Sequence, residues 1–102
     1  MNLRGNRISG LESFHYLSKL KSLEMLNIES NELKGFPTLR MFYERLIMAS
    51  EEYLPFPMLE TLLLAENQIN NHKSVQVLCL CCKLTYLDIS YNAITHVLKE
   101  LE

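Results

Sequence analysis

Apolar side chains recur along this chain in one repeating frame. Leu23, Leu26 and Ile28 precede Asn31 and Leu33; Leu59, Leu62 and Leu64 precede Asn67 and Ile69; Leu84, Leu87 and Ile89 precede Asn92 and Ile94. Met1, Leu3, Asn6 and Ile8 fill the matching places of a fourth copy that opens the chain. Inside each frame the period is two. Leu26 and Ile28 flank Asn27, Leu62 and Leu64 flank Leu63, and Leu87 and Ile89 flank Asp88, so each copy predicts a short strand with one buried face. Past each asparagine the spacing becomes three or four. Ile8, Leu11, Phe14, Leu17 and Leu20 follow Asn6; Ile69, Val75, Leu78, Cys81 and Leu84 follow Asn67. Such spacing predicts a helix with one apolar stripe, packed behind the strands.

The asparagines take a structural turn role. An amide side chain carries two donors and an acceptor, so Asn6, Asn31, Asn67 and Asn92 can satisfy backbone groups of the turn and of the next copy. Strand, turn and helix repeated in register stack into a curved solenoid, with a parallel sheet on the concave face and helices on the convex face. Gly5, Gly10 and Gly35 are the only glycines and Pro37, Pro55 and Pro57 the only prolines. That scarcity agrees with helical rather than extended convex segments.

One copy is irregular. The four marker asparagines are 25, 36 and 25 residues apart, so the segment 34–58 carries about eleven extra residues. Within it, Leu39, Phe42, Leu46 and Ala49 share a face at helical spacing. Pro37 before them, and Pro55 and Pro57 after them, punctuate a helix over 39–49. Two readings stay open for this insert: a longer convex helix with its loop, or a docking element.

The frame Leu-x-x-Leu-x-Leu-x-x-Asn, at intervals in the twenties, resembles the leucine-rich repeat family, and more narrowly its intracellular, helix-backed subclass. Nearly the whole chain is covered. The run Phe56-Pro57-Met58-Leu59-Glu60-Thr61-Leu62, after an extended repeat, also resembles the X-ray radiation resistance-associated group of leucine-rich proteins. The interval of 36 departs from the family's usual length. Neither end shows a polar cap, which stacked repeats normally need. We therefore expect one repeat domain over 1–102, cut from a longer solenoid, or else ends covered by partners. The resemblance implies a non-enzymatic scaffolding or regulatory module, with axonemal and other cytoskeletal assemblies as common homes.

Composition narrows the alternatives. A net charge of −2 gives no concentrated basic face for nucleic acid. No apolar run is long enough to span a membrane, and Met1 to Gly10 lacks the apolar stretch of a signal peptide. Cys79, Cys81 and Cys82 are clustered and odd in number, unlike a secreted disulfide framework, so a reducing cytoplasmic setting is expected. They also make a poor zinc site. No second pair follows, and on a helix Cys79 and Cys82 share a face that Cys81 leaves. They read as small apolar residues of a largely buried helix, with a redox or palmitoylated site as the alternative. His15, His72 and His96 fall in three different convex segments, with no nucleophile placed beside any of them. No glycine-rich phosphate loop occurs. No catalytic residue, metal ligand, cofactor or small-molecule substrate is assigned.

The working surface is then the concave one. Its columns are Asn2, Asn27, Leu63 and Asp88; Arg4, Glu29, Ala65 and Ser90; Gly5, Ser30, Glu66 and Tyr91; and Met25, Thr61 and Tyr86. From these, Met25, Asn27, Glu29, Thr61, Leu63, Glu66, Tyr86, Asp88 and Tyr91 are the candidate protein-binding residues. Tyrosine offers large apolar area with a polar tip. Acids beside it suggest a partner segment with basic and hydrophobic residues. The alternative is a structural segment covered on both faces within a large assembly.

Overall fold

A computed structural model describes residues 1–93, apart from the side chain of Leu11. Ile94, His96 and the helix read toward Glu102 lie outside the described residues. The architecture is a small α/β one. In order come α1 (Leu11–Leu17), β1 (Met25–Asn27), α2 (Leu39–Ala49), β2 (Thr61–Leu63), a 3₁₀ helix (His72–Leu80) and β3 (Tyr86–Asp88). The strands form one parallel sheet in the order β1-β2-β3. Register follows the apolar frame: Leu26 pairs with Leu62 and Leu62 with Leu87, so Met25, Thr61 and Tyr86 form one row and Asn27, Leu63 and Asp88 another. An isolated parallel bridge between Asn2 and Asn27 adds the opening copy to the edge of β1.

The buried sheet face, with Leu26, Ile28, Leu62 and Leu64, shares one core with Phe14 of α1, Phe42 of α2, and Val77 and Leu78 of the 3₁₀ helix. An aromatic knot closes it. The Phe14 ring centroid lies 5.0 Å from Phe36, 5.6 Å from Phe56 and 6.0 Å from Phe42, within the range where tilted and edge-to-face rings attract. Three of those four phenylalanines come from the insert. Its helix α2 starts where Thr38 Oγ1 accepts a hydrogen bond from the Met41 amide, an N-cap that satisfies one otherwise orphaned donor. The insert is pinned to the 3₁₀ helix by the Phe36 amide donating to the Ser74 carbonyl. Gly35 permits that approach: its φ is 140°, and a Cβ there would sit 2.2 Å from Ser74 Cβ.

Several expectations need correction. The helix expected after Asn67 is a 3₁₀ helix. It ends at Leu80, so Cys81 and Leu84 of the expected stripe lie beyond it. Val77, outside that stripe, is buried as well. Met1 and Leu87 hold strand-core places but are half-exposed, because each sits at an end of the described stack and has a neighbouring strand on one side only. Phe42 is a core residue, so its loss tests folding rather than docking. The outward side of α2 carries Met41, Tyr43, Ile47 and Met48 instead.

Candidate interaction surface

The turn asparagines set how one copy sits on the next. Asn31 Nδ2 donates to the carbonyls of Leu3, Ile28 and Glu29, and its Oδ1 accepts from the amides of Asn6 and Ile8. Asn67 Nδ2 donates to Ile28, Leu64 and Ala65, and its Oδ1 accepts from Leu33. Asn92 repeats the pattern with Leu64, Ile89, Ser90 and Ile69. Each amide therefore reaches its own turn and the preceding copy, and those of Asn31 and Asn67 do not reach the following one. The ladder explains the direction. Ile28 donates its amide to the Leu63 carbonyl in the next strand, so its own carbonyl points the same way. Asn67 supplies the donor that this carbonyl receives.

A second column bends the chain at each step. Gly5, Ser30, Glu66 and Tyr91 occupy equivalent places and have φ of 72°, 54°, 57° and 56°. This left-handed region disfavours residues with a Cβ. Only Gly5 advertises it in sequence.

Against this scaffold the candidate residues fall into two groups. Met25, Tyr86 and Tyr91 are exposed, Tyr86 at 57% and Tyr91 at 80%. Glu66 is exposed also, while Asn27, Glu29, Thr61, Leu63 and Asp88 are half-buried. The register brings Met25, Thr61 and Tyr86 together, and Asn27, Leu63 and Asp88 beside them. Ala65 does not belong to the outward grid. It is buried.

The charges on this face are held in place. Arg4 approaches Glu29 at 3.6 Å and Arg7 approaches Glu32 at 3.3 Å. Glu66 accepts from the Ser30 hydroxyl at 2.7 Å. Asp88 accepts from the hydroxyl and the amide of Ser90, and these bonds hold its carboxyl below the usual range. It is ionised at neutral pH.

The cysteines divide by burial. Cys79 and Cys82 are exposed and Cys81 is buried, so the reading as buried apolar residues fits Cys81 alone. The segment turns at the end of the 3₁₀ helix, and one thiol of three faces the core. Burial, helped by the neighbouring Cys79 and Cys82, pushes the Cys81 thiol up to about 12. Ellman's reagent at pH 8 is expected to titrate two thiols quickly and the third only on unfolding; three fast thiols would contradict this burial. The linkage sign is that of a raised pKa. The stability Cys81 contributes is whole below the pKa of an unfolded thiol, near 8.5, and is lost as pH climbs toward about 12.

His15 lies in α1 and His72 begins the 3₁₀ helix. Burial, then the Arg45 and Lys19 cations, hold His15 below its ordinary value. Among the described residues no group of three or more His, Cys, Asp or Glu side chains could hold a metal ion, and no helix is long and apolar enough to cross a membrane.

Comparison with known proteins bears on the last strand and its turn. Residues 83–101 match the Leucine Rich Repeat family model. The match supports a leucine-rich repeat family, whose motifs generally mediate protein–protein interaction and are typically non-enzymatic. It spans Leu84, Leu87, Ile89 and Asn92, the same frame that Leu59 to Asn67 and Leu23 to Asn31 repeat. No curated protein and no solved structure matches the chain.

Proposed function

We propose that this chain is a cytoplasmic leucine-rich repeat solenoid of the helix-backed subclass that binds a partner protein on its concave sheet face, as a scaffold or regulator and without catalysis. In this reading 1–102 is one repeat domain and 34–58 an extended repeat. The observation that carries it is the row of exposed Met25, half-buried Thr61 and exposed Tyr86, held in register by β1, β2 and β3 over a packed core, with Leu63 and Tyr91 alongside. Large apolar side chains on the open side of a rigid sheet are unfavourable in water and suit an interface.

Affinity capture from cell extract, comparing the native chain with the double variant Tyr86→Ala/Tyr91→Ala, tests it. The variant should retain its melting temperature and lose its captured partner by at least about tenfold, the scale of interface anchors. Capture indifferent to both substitutions would remove the concave face from the account.

A second reading has its own support. On α2, Ile47 is 77% and Met48 87% exposed, on the helix side turned away from buried Phe42. They favour a segment covered on that side as well, within a cytoskeletal or axonemal assembly. Loss of capture by Ile47→Ser/Met48→Ser alone would favour this reading.

A further inference from the structure

Three rows cross the open face of the sheet, and the charges along them limit what can sit there. The basic residues of the opening copy are occupied, Arg4 by Glu29 and Arg7 by Glu32. Glu66 and Asp88 are different. Each is held by a serine, from Ser30 and Ser90 respectively, and neither is in an ion pair with a cation among the described residues. Serine bonds fix the carboxylates in direction without cancelling their charge. Two more acids line the edge of the same rows. Glu24 and Glu60 are exposed. They stand on successive steps, because the Glu24 carbonyl receives the amides of Glu60 and Thr61, and the Glu60 carbonyl those of Thr85 and Tyr86.

These negative groups surround an apolar centre made by Met25, Leu63, Tyr86 and Tyr91. Strands about 4.8 Å apart put Met25 and Tyr86 roughly 10 Å from each other across the sheet, about the reach of three extended residues. An occupant must therefore bring apolar and cationic groups within a few residues. A neutral apolar segment would bury the carboxylates unpaired, at high cost, and an acidic one would be repelled.

We propose that the open sheet face takes an extended peptide segment of a partner protein that carries lysine or arginine next to an aliphatic or aromatic anchor. The inference rests on the binding role proposed above and adds the chemistry of the partner. The anchor packs among Met25, Leu63, Tyr86 and Tyr91. Its basic neighbours meet Glu66 and Asp88, with Glu24 and Glu60 at the edge.

A random 12-residue peptide library displayed on phage, panned on the immobilised full chain, tests it. Selected peptides should carry net positive charge beside an apolar residue. Their affinity, measured by fluorescence anisotropy, should fall by about tenfold in Glu66→Gln/Asp88→Asn, and several-fold between low and 0.5 M salt. The amide variants keep the acceptors that Ser30 and Ser90 use, so the fold is preserved. Peptides that lose affinity with Tyr86→Ala/Tyr91→Ala but ignore the amide variants and salt would overturn the basic-partner inference and leave the binding face standing. Peptides indifferent to both pairs, or an empty selection, would overturn both.

Discussion

Phe14→Ala is expected to lower stability by about 3–5 kcal/mol, the range for deleting a fully buried aromatic side chain. Phe14 is 1% exposed and is the one ring that meets Phe36, Phe42 and Phe56 together. Its removal opens a void among three segments far apart in sequence. Little can collapse into it, because Phe36 is tied by its amide to Ser74 and Phe56 by its amide to the Ser18 carbonyl. For a domain of this size such a loss lowers Tm by at least about 12 °C, or removes the cooperative melt. Tyr16→Ala, on the exposed side of the same helix, should shift Tm by no more than about 3 °C. A Phe14→Ala shift as small as the control would show that the aromatic knot does not hold the insert to the sheet.

Asn67→Ala is expected to cost about 2–4 kcal/mol, because it leaves buried backbone groups without partners. The Leu33 amide loses its acceptor, and the Ile28, Leu64 and Ala65 carbonyls lose a donor. Water cannot readily replace these bonds at a site this buried. Asn6 offers the comparison. It is exposed, and its amide donates only to Leu3 and Arg4 within its own turn, so Asn6→Ala should cost about 1 kcal/mol or less. Urea melts of the two variants check the ordering. Equal losses would mean that the amide column does not join one copy to the next.

Much of the strand layer was legible in the residues because it rests on local periodicity. Leu26 and Leu62 alternate with polar or outward neighbours, and the sheet register follows that alternation without adjustment. The helix over 39–49 was equally plain, since Leu39, Phe42, Leu46 and Ala49 share a face and Pro37, Pro55 and Pro57 flank the segment. Other features depended on tertiary geometry. The left-handed column is filled by glycine, serine, glutamate and tyrosine, and only the first signals such a φ. The direction of the asparagine bonds follows from which way the Ile28 carbonyl points, a property of the ladder. The phenylalanine knot joins residues 14, 36, 42 and 56, and no short-range pattern announces that they meet. The 3₁₀ helix had no local signal either: the spacing of three from Val75 to Leu84 also runs from Ile8 to Leu20, where the helix is α.

The candidate surface divides the same way. Rows such as Met25, Thr61 and Tyr86 follow from counting positions. Which acids are already neutralised does not, because Arg4 and Glu29, or Arg7 and Glu32, meet only once the copies are stacked. Exposure at the ends of the described stack, at Met1 and Leu87, likewise depends on neighbours rather than on residue type.

Backbone nuclear Overhauser contacts across the sheet test the central arrangement most directly. In-register parallel pairing predicts contacts from Leu26 to Leu62 and from Leu62 to Leu87, with the Ile28 amide close to Leu63 and the Leu64 amide close to Asp88. Contacts joining Leu26 to Leu87 directly would break the β1-β2-β3 order, and pairing shifted by one residue would turn Met25, Tyr86 and their row toward the core; either result would contradict it.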